Sequence, residues 1–431
     1  SLAISTDQGA ANCLNSVINI DALVQTDTGE LSVTATGDIT QGSLGNLETT
    51  SGNILVLTSD GSVSMHQDAS TVSTSGGHLT YQADGTITLG SLQSATGNVN
   101  LLSGAAVTDT TDEETDVQAS ALSITAGGPV TLDTQVDTIT IDTSAIGNVD
   151  IDESDGVELQ SITTNGGSVT IDAIGSITAT LVDSTAPESD PAEAGSINIT
   201  STGGSIHVGQ FLATGDNVTL TAAGGGITQD GFGTNEITAD TLTVVAHGGI
   251  DLDTQVSTVD QLQTTATGDI EIDEADSITL TSVSTNNGHI RIEAEGSINA
   301  TEIDSSNTNS GDQANSIAIT SASSGINVGR IDAGTTNPVI LDAKNGSITQ
   351  DGDGATDVSG ASLTADAIGD IDLDTAVDTL DLYAYSNGDI TISQLGDVTL
   401  SDVVSTDGLV QIVASGGITA TRVISHNLSN S

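Results

Sequence analysis

One short phrase recurs along almost the whole of this 431-residue chain: a glycine, a small polar residue, then Ile or Val alternating with Thr, Asn or Asp. Gly37-Asp38-Ile39-Thr40, Gly97-Asn98-Val99-Asn100, Gly175-Ser176-Ile177-Thr178, Gly296-Ser297-Ile298-Asn299 and Gly346-Ser347-Ile348-Thr349 are copies. They often come in close pairs, such as Gly52 with Gly61, Gly77 with Gly85 and Gly167 with Gly175. Successive pairs begin near positions 52, 77, 97, 147, 167, 195 and 215. A longer period lies above this one. Leu132-Asp133-Thr134-Gln135-Val136 returns as Leu252-Asp253-Thr254-Gln255-Val256, and again as Leu373-Asp374-Thr375-Ala376-Val377. Repetition on these two scales is the mark of a solenoid.

Within each phrase the period is two, so one face is aliphatic and the other polar, as in a half-buried strand. Glycine marks each bend. A chain that bends at fixed intervals coils, and equivalent strands then pair in parallel about 4.8 Å apart. Ladders of Ile, Val and Leu fill a narrow interior without large rings, which fits a chain with 1% aromatics and no Trp. A string of three β-sandwich modules also fits regular strand spacing. It would need central Trp or Tyr, and it leaves the shorter step unexplained. The expected fold is therefore all-β: a right-handed parallel β-helix (β-solenoid) of about 18 rungs, with about 20–28 residues per rung and a long repeat of about 120. Right-handedness follows the general rule for parallel β connections. Residues 1–24 read as an irregular or cap-like start. Residues 25–431 read as one continuous solenoid, with long repeats at roughly 25–127, 128–247, 248–367 and 368–431. Two polar stretches, 185–195 and 307–313, interrupt the rungs and read as bulges that either bind or decorate.

Charge narrows the partners. The chain carries 59 acids, 4 basic residues and a net charge of −55. Nucleic-acid binding needs clustered Lys and Arg, whereas Arg291, Arg330, Lys344 and Arg422 are scattered. No window approaches the ~20 apolar residues of a membrane span. Neither nucleic acid nor membrane insertion is expected. High charge with few aromatics is also a signature of disorder, but the 35% of hydrophobic residues alternate too regularly for that. A lone Cys13 offers no disulfide framework. No signal peptide is visible at Ser1, so the reading is of an interior excerpt.

The phrases Gly-Ser-Ile-Thr, Gly-Asp-Ile-Thr-Gln and Gly-Gly-Ile-Thr-Gln-Asp, spread from about residue 30 to 425, resemble the repeats of filamentous-haemagglutinin-like adhesins and, more broadly, the giant β-helical surface proteins of bacteria. The resemblance is one of style, since low-complexity β-repeats converge easily. It implies a right-handed parallel β-helix, export, and a role in attachment or cell-surface structure. No amino-terminal secretion module of that family is present in this sequence.

The acidic strands are the candidate chemistry. Asp150 and Asp152, with Glu153 and Asp155, form one cluster; Asp269, Glu271 and Asp273, with Glu274 and Asp276, form its counterpart. Asp251 and Asp253 lie one rung earlier, and Asp372 and Asp374 recur in the third long repeat. Alternation is expected to point these carboxylates outward. Adjacent rungs would stack them within roughly 5 Å, which disfavours like charges unless a cation intervenes. Ca²⁺, with six to eight oxygen ligands, suits such a ladder; a solvated acidic face is the simpler reading. No catalytic residues and no certain cofactor are expected, and the chain is not read as an enzyme. The six histidines lack ligand spacing and read as turn residues. Tyr383 and Tyr385 share a strand face and could form a small stacking platform. The expected role is a structural or adhesive extracellular surface segment that associates end to end or with other surface proteins or glycans. The alternatives are a Ca²⁺-dependent cell-surface binding module and, last, a polysaccharide-active β-helix enzyme.

Overall fold

The computed structural model describes residues 1–6, 16–110, 114–186, 195–229, 231, 235–306 and 315–426. Cys13, residues 187–194 of the polar stretch 185–195, and the whole of the stretch 307–313 lie outside the described residues. The chain falls into two compact units, Ser1–Asp216 and Asn217–Ser431. Each is a parallel β-solenoid, and together they carry about 18 turns. No helix occurs among the described residues.

The aliphatic alternation becomes columns. In the first unit Ile18, Ile39, Val63, Ile87, Val107, Val130, Val149, Val169 and Ile197 face one another in unbroken register from turn to turn. In the second unit Ile227, Ile250, Ile270, Ile290, Ile317, Val339, Leu363, Leu380 and Leu400 do the same. All of these side chains are buried, each contributing roughly 1.5–3 kcal/mol of hydrophobic burial. The step from one turn to the next is uneven: Val149 follows Val130 closely, whereas a longer excursion separates Val169 from its partner Ile197. Strands Leu2–Ser5 and Ile18–Ile20, both in the stretch 1–24, pair in parallel with Leu31–Ala35 and Ile39–Gln41.

Each residue type in the recurrent phrase has a job at the bend. The polar residue after glycine supplies an acceptor to the next turn. Asp38 Oδ1 takes the Ser62 backbone N–H at 2.9 Å, and Ser62 Oγ takes that of Thr86 at 3.1 Å. Asn148 serves Ser168 in the same way, and Asp370 serves Asp389. Inward hydroxyls bind the bend from below: Ser73 Oγ accepts from Gly77 N at 2.7 Å and Ser405 Oγ donates to Gly388 O at 2.8 Å. Histidines join the pattern at bends, where His66 and His78 Nδ1 accept the backbone N–H groups of Asp68 and Asn98. The backbone polar groups of the bends thus keep partners.

One polar network lies fully inside the first unit. Tyr81 is fully buried; its hydroxyl lies 2.6 Å from Thr71 Oγ1 and donates to Gln41 Oε1 at 2.7 Å. Gln41 Nε2 in turn donates to Gly45 O at 2.9 Å. Burial pushes the phenol well above its ordinary range. Tyr81→Phe orphans Gln41 Oε1 and is expected to cost about 1–3 kcal/mol. A urea-unfolding midpoint equal to that of the parent would refute it.

Candidate functional site

The outward faces carry the acids, and register decides which of them meet. In the first unit Asp133 on Val130–Thr143, Asp152 on Val149–Glu153 and Asp172 on Val169–Ala173 are consecutive partners. In the second unit Asp253, Asp273 and Glu293 occupy the matching rungs. Beside them runs a parallel row, Asp251, Glu271 and Arg291. Arg291 holds Glu271 at 2.6 Å, Asp273 at 3.1 Å and Glu293 at 2.7 Å. One positive charge of the protein itself thus offsets part of the charge of three carboxylates here. Lys344 lines the same groove, with Asp253, Asp273 and Glu293. Such exposed pairs contribute little stability each, but they relieve the repulsion of stacked carboxylates.

The remaining expected ligands have other settings. Asp150 is exposed between Thr131 and Thr170, and partial burial, with the Asp172 charge added, raises its carboxyl above the usual range. Asp251 and Asp253 are half-buried and both accept from Gln229 Nε2, at 3.4 and 3.2 Å. Partial burial raises the Asp253 carboxyl, against the Gln229 hydrogen bond and with the charges of Asp273 and Asp251. Asp269 sits at a bend, where its Oδ1 accepts the His289 backbone N–H at 2.7 Å. Asp372 accepts from Gln350 Nε2 at 3.3 Å. On the following rung Asp372 and Asp374 meet Thr391 and Ser393, so the third repeat does not continue the ladder.

Two acids expected on the outside are inside. Glu153 and Glu274 are 2% and 4% exposed and belong to inward columns. Glu153 stands between Thr134 and Ala173, and Glu274 between Thr254 and Ala294. The parity of Val149 to Glu153 requires this, because every second residue from Val149 faces the core. Glu153 Oε2 accepts from Thr134 Oγ1 at 2.8 Å and Val136 N at 3.1 Å, and Oε1 from Asp155 N at 3.1 Å. Glu274 repeats the arrangement with Thr254, Val256 and Asp276. Burial outweighs these donors and pushes both carboxyls up to about 7. At the third equivalent place stands Gln394, whose Oε1 accepts from Thr375 Oγ1 at 2.6 Å.

Asp133, Asp172 and Glu293 were not picked out from the sequence, because a ladder partner is visible only once the turn-to-turn step is known. A further group joins Asp133: one carboxylate oxygen each of Asp109, Asp116 and Asp133 lie within 4.8 Å of one another. Tyr383 and Tyr385 do stack, with ring centroids 6.0 Å apart and planes 20° from parallel. The Tyr383 hydroxyl donates to Asp402 Oδ2 at 2.5 Å, and Arg422 closes on the same carboxylate at 2.6 Å. In each unit these acids lie on outward strand faces in register from rung to rung.

No family model, curated protein or solved structure matches the chain. The resemblance to filamentous-haemagglutinin-like adhesins is one of sequence phrases alone. What the structure carries is the broader statement: this is a β-helix repeat protein.

Proposed function

We propose that this chain is a structural or adhesive segment of an extracellular surface protein, mechanical rather than catalytic in role. The observation that carries the reading is the pair of long, unbroken aliphatic columns. A core built this way is stabilised turn by turn, and it presents the same surface chemistry over many rungs. A net charge of −55 keeps such surfaces solvated and apart. The partners are surface proteins, glycans or further copies of the chain.

The test has two arms. Antibodies to the chain are expected to label intact, unpermeabilised cells of the source organism. Beads coated with the chain are expected to be retained under flow on glycan- or protein-coated surfaces, above beads bearing an acidic protein of equal charge. Labelling confined to permeabilised cells, or turnover of a polysaccharide by the soluble chain, would overturn the proposal.

A further inference from the structure

The second unit holds a group of acids apart from the ladders. The loop between strands Ile348–Gln350 and Val358–Ala367 reads Asp351-Gly352-Asp353-Gly354-Ala355-Thr356-Asp357. Gly352 and Gly354 adopt φ of +83° and +73°, a left-handed backbone that folds the loop back on itself. One carboxylate oxygen each of Asp351, Asp353 and Asp357 lie within 4.8 Å of one another. Asp351 and Asp353 are exposed, while Asp357 is 0% exposed.

Asp357 is the decisive member. Its Oδ2 accepts the Asp374 backbone N–H at 2.5 Å, and its own N–H donates to Asp374 O at 2.8 Å, which fixes the side chain. Its Oδ1 has no access to solvent and no hydrogen-bond partner. A buried carboxylate oxygen without a donor is costly, and here the charges of Asp374, Asp351 and Asp353 press on the same group. Backbone N–H groups reach Asp351 Oδ1 (from Asp353, 3.0 Å) and Asp353 Oδ1 (from Ala355, 2.6 Å), but none reaches Asp357 Oδ1; a hard cation would balance the charge that remains. Oxygens bound to one Ca²⁺ at 2.3–2.6 Å stand at most about 5 Å apart, a span that covers the observed spacing.

We propose that Asp351, Asp353 and Asp357 form a Ca²⁺ site that pins this loop to the rung beneath it. Water or backbone carbonyls complete the six to eight oxygens that Ca²⁺ takes. The equivalent stretch of the second long repeat, Asp230 to Glu236, has Phe232 where Asp353 stands; in the first unit Asp116 exchanges the same backbone and carboxylate bonds with Asp133, within the group it forms with Asp109 and Asp133.

In so acidic a chain, bulk binding of Ca²⁺ reports many weak contacts, so the test needs a local readout. Hydrogen exchange followed by mass spectrometry is measured on the full chain, in millimolar CaCl₂ and in NaCl of matched ionic strength. Peptides covering 348–361 are expected to gain protection in Ca²⁺ only. Asp353→Asn, an exposed change that leaves the fold intact, is expected to raise the Ca²⁺ concentration at half-protection at least about tenfold, the scale on which altered metal surroundings act. Asp357→Asn is expected to abolish the effect. Equal protection in the two salts, or an unchanged half-protection point in Asp353→Asn, would overturn the site.

Discussion

Alanine at Gly77 is expected to unlatch the turns on either side of it. A Cβ at this position would meet the Gly52 carbonyl oxygen at 2.0 Å and the Ser73 hydroxyl at 2.7 Å. The first contact is with the backbone of the preceding turn, which no side-chain rotation relieves. Gly77 belongs to a file of bend glycines: Gly52 lies against Gly29 in the same way, and Gly97 against Gly77. Glycine is required there for close approach, because Gly77 is not among the left-handed residues. The opposite case is Gly396, with φ of +94° and nothing within 4 Å of a Cβ. Gly396→Ala should cost about 1 kcal/mol from backbone strain alone. Gly77→Ala should cost about 3 kcal/mol or more, the scale of overpacking that cannot relax. In a one-dimensional core the loss is local. Amides of Ile54–Thr58 and Leu79–Ala83 should therefore exchange faster while those of Val149–Glu153 hold their protection. Unaltered exchange around residue 77 would show that the turns have slack that the stacking does not reveal.

The fold was legible because its cause is local and repeated. Period-two alternation chose strands, and glycine followed by Ser, Asp or Asn marked bends whose hydrogen bonds the structure shows, as at Asp38 and Ser62. The acidic face was legible only in part. Reading Asp150 to Asp155 as one cluster merged two parities, and the structure separates Glu153 inward from Asp152 outward. That distinction was available in the sequence, since Glu153 continues the series of Val149 and Ile151. The stacking of Asp133, Asp152 and Asp172 was not available. It depends on the short steps from Val130 to Val149 and from Val149 to Val169, in a chain whose next step, to Ile197, is longer. Asp116 and Asp357 were hidden for another reason. Each precedes a buried valine, so two consecutive buried residues break the alternation where a loop re-enters the ladder.

The inward glutamates make the core sensitive to pH in a predictable direction. Both carboxyls rise from an ordinary 4.5 to about 7 in the folded chain, and burial is the main cause; Asp155 adds to it at Glu153, and Asp276 at Glu274. A carboxyl whose folded pKa is raised holds its proton more tightly when folded. Its contribution is therefore fully present below about 4.5, declines as pH rises, and is lost above about 7. Each group withdraws roughly 2–3 kcal/mol across that window. Gln394 shows that the same node accepts a neutral amide: its Nε2 donates to Val377 O at 2.8 Å and Leu395 O at 3.0 Å. Glu153→Gln with Glu274→Gln should therefore match the parent at pH 4 and exceed it at pH 8, with a thermal midpoint higher by several degrees. Acidic self-repulsion also grows with pH, so the comparison is between variants at each pH. Asp152→Asn with Glu295→Gln removes the same charge from exposed positions and serves as the control. A double glutamine variant with the same advantage at pH 4 and pH 8 would mean that the glutamates are not held protonated. An advantage no greater than the control's would mean that surface charge, not burial, sets the response. A gap that opens between pH 4.5 and 7 in the glutamine variant alone identifies the core carboxyls as the groups that limit how firmly the turns stack in alkaline water.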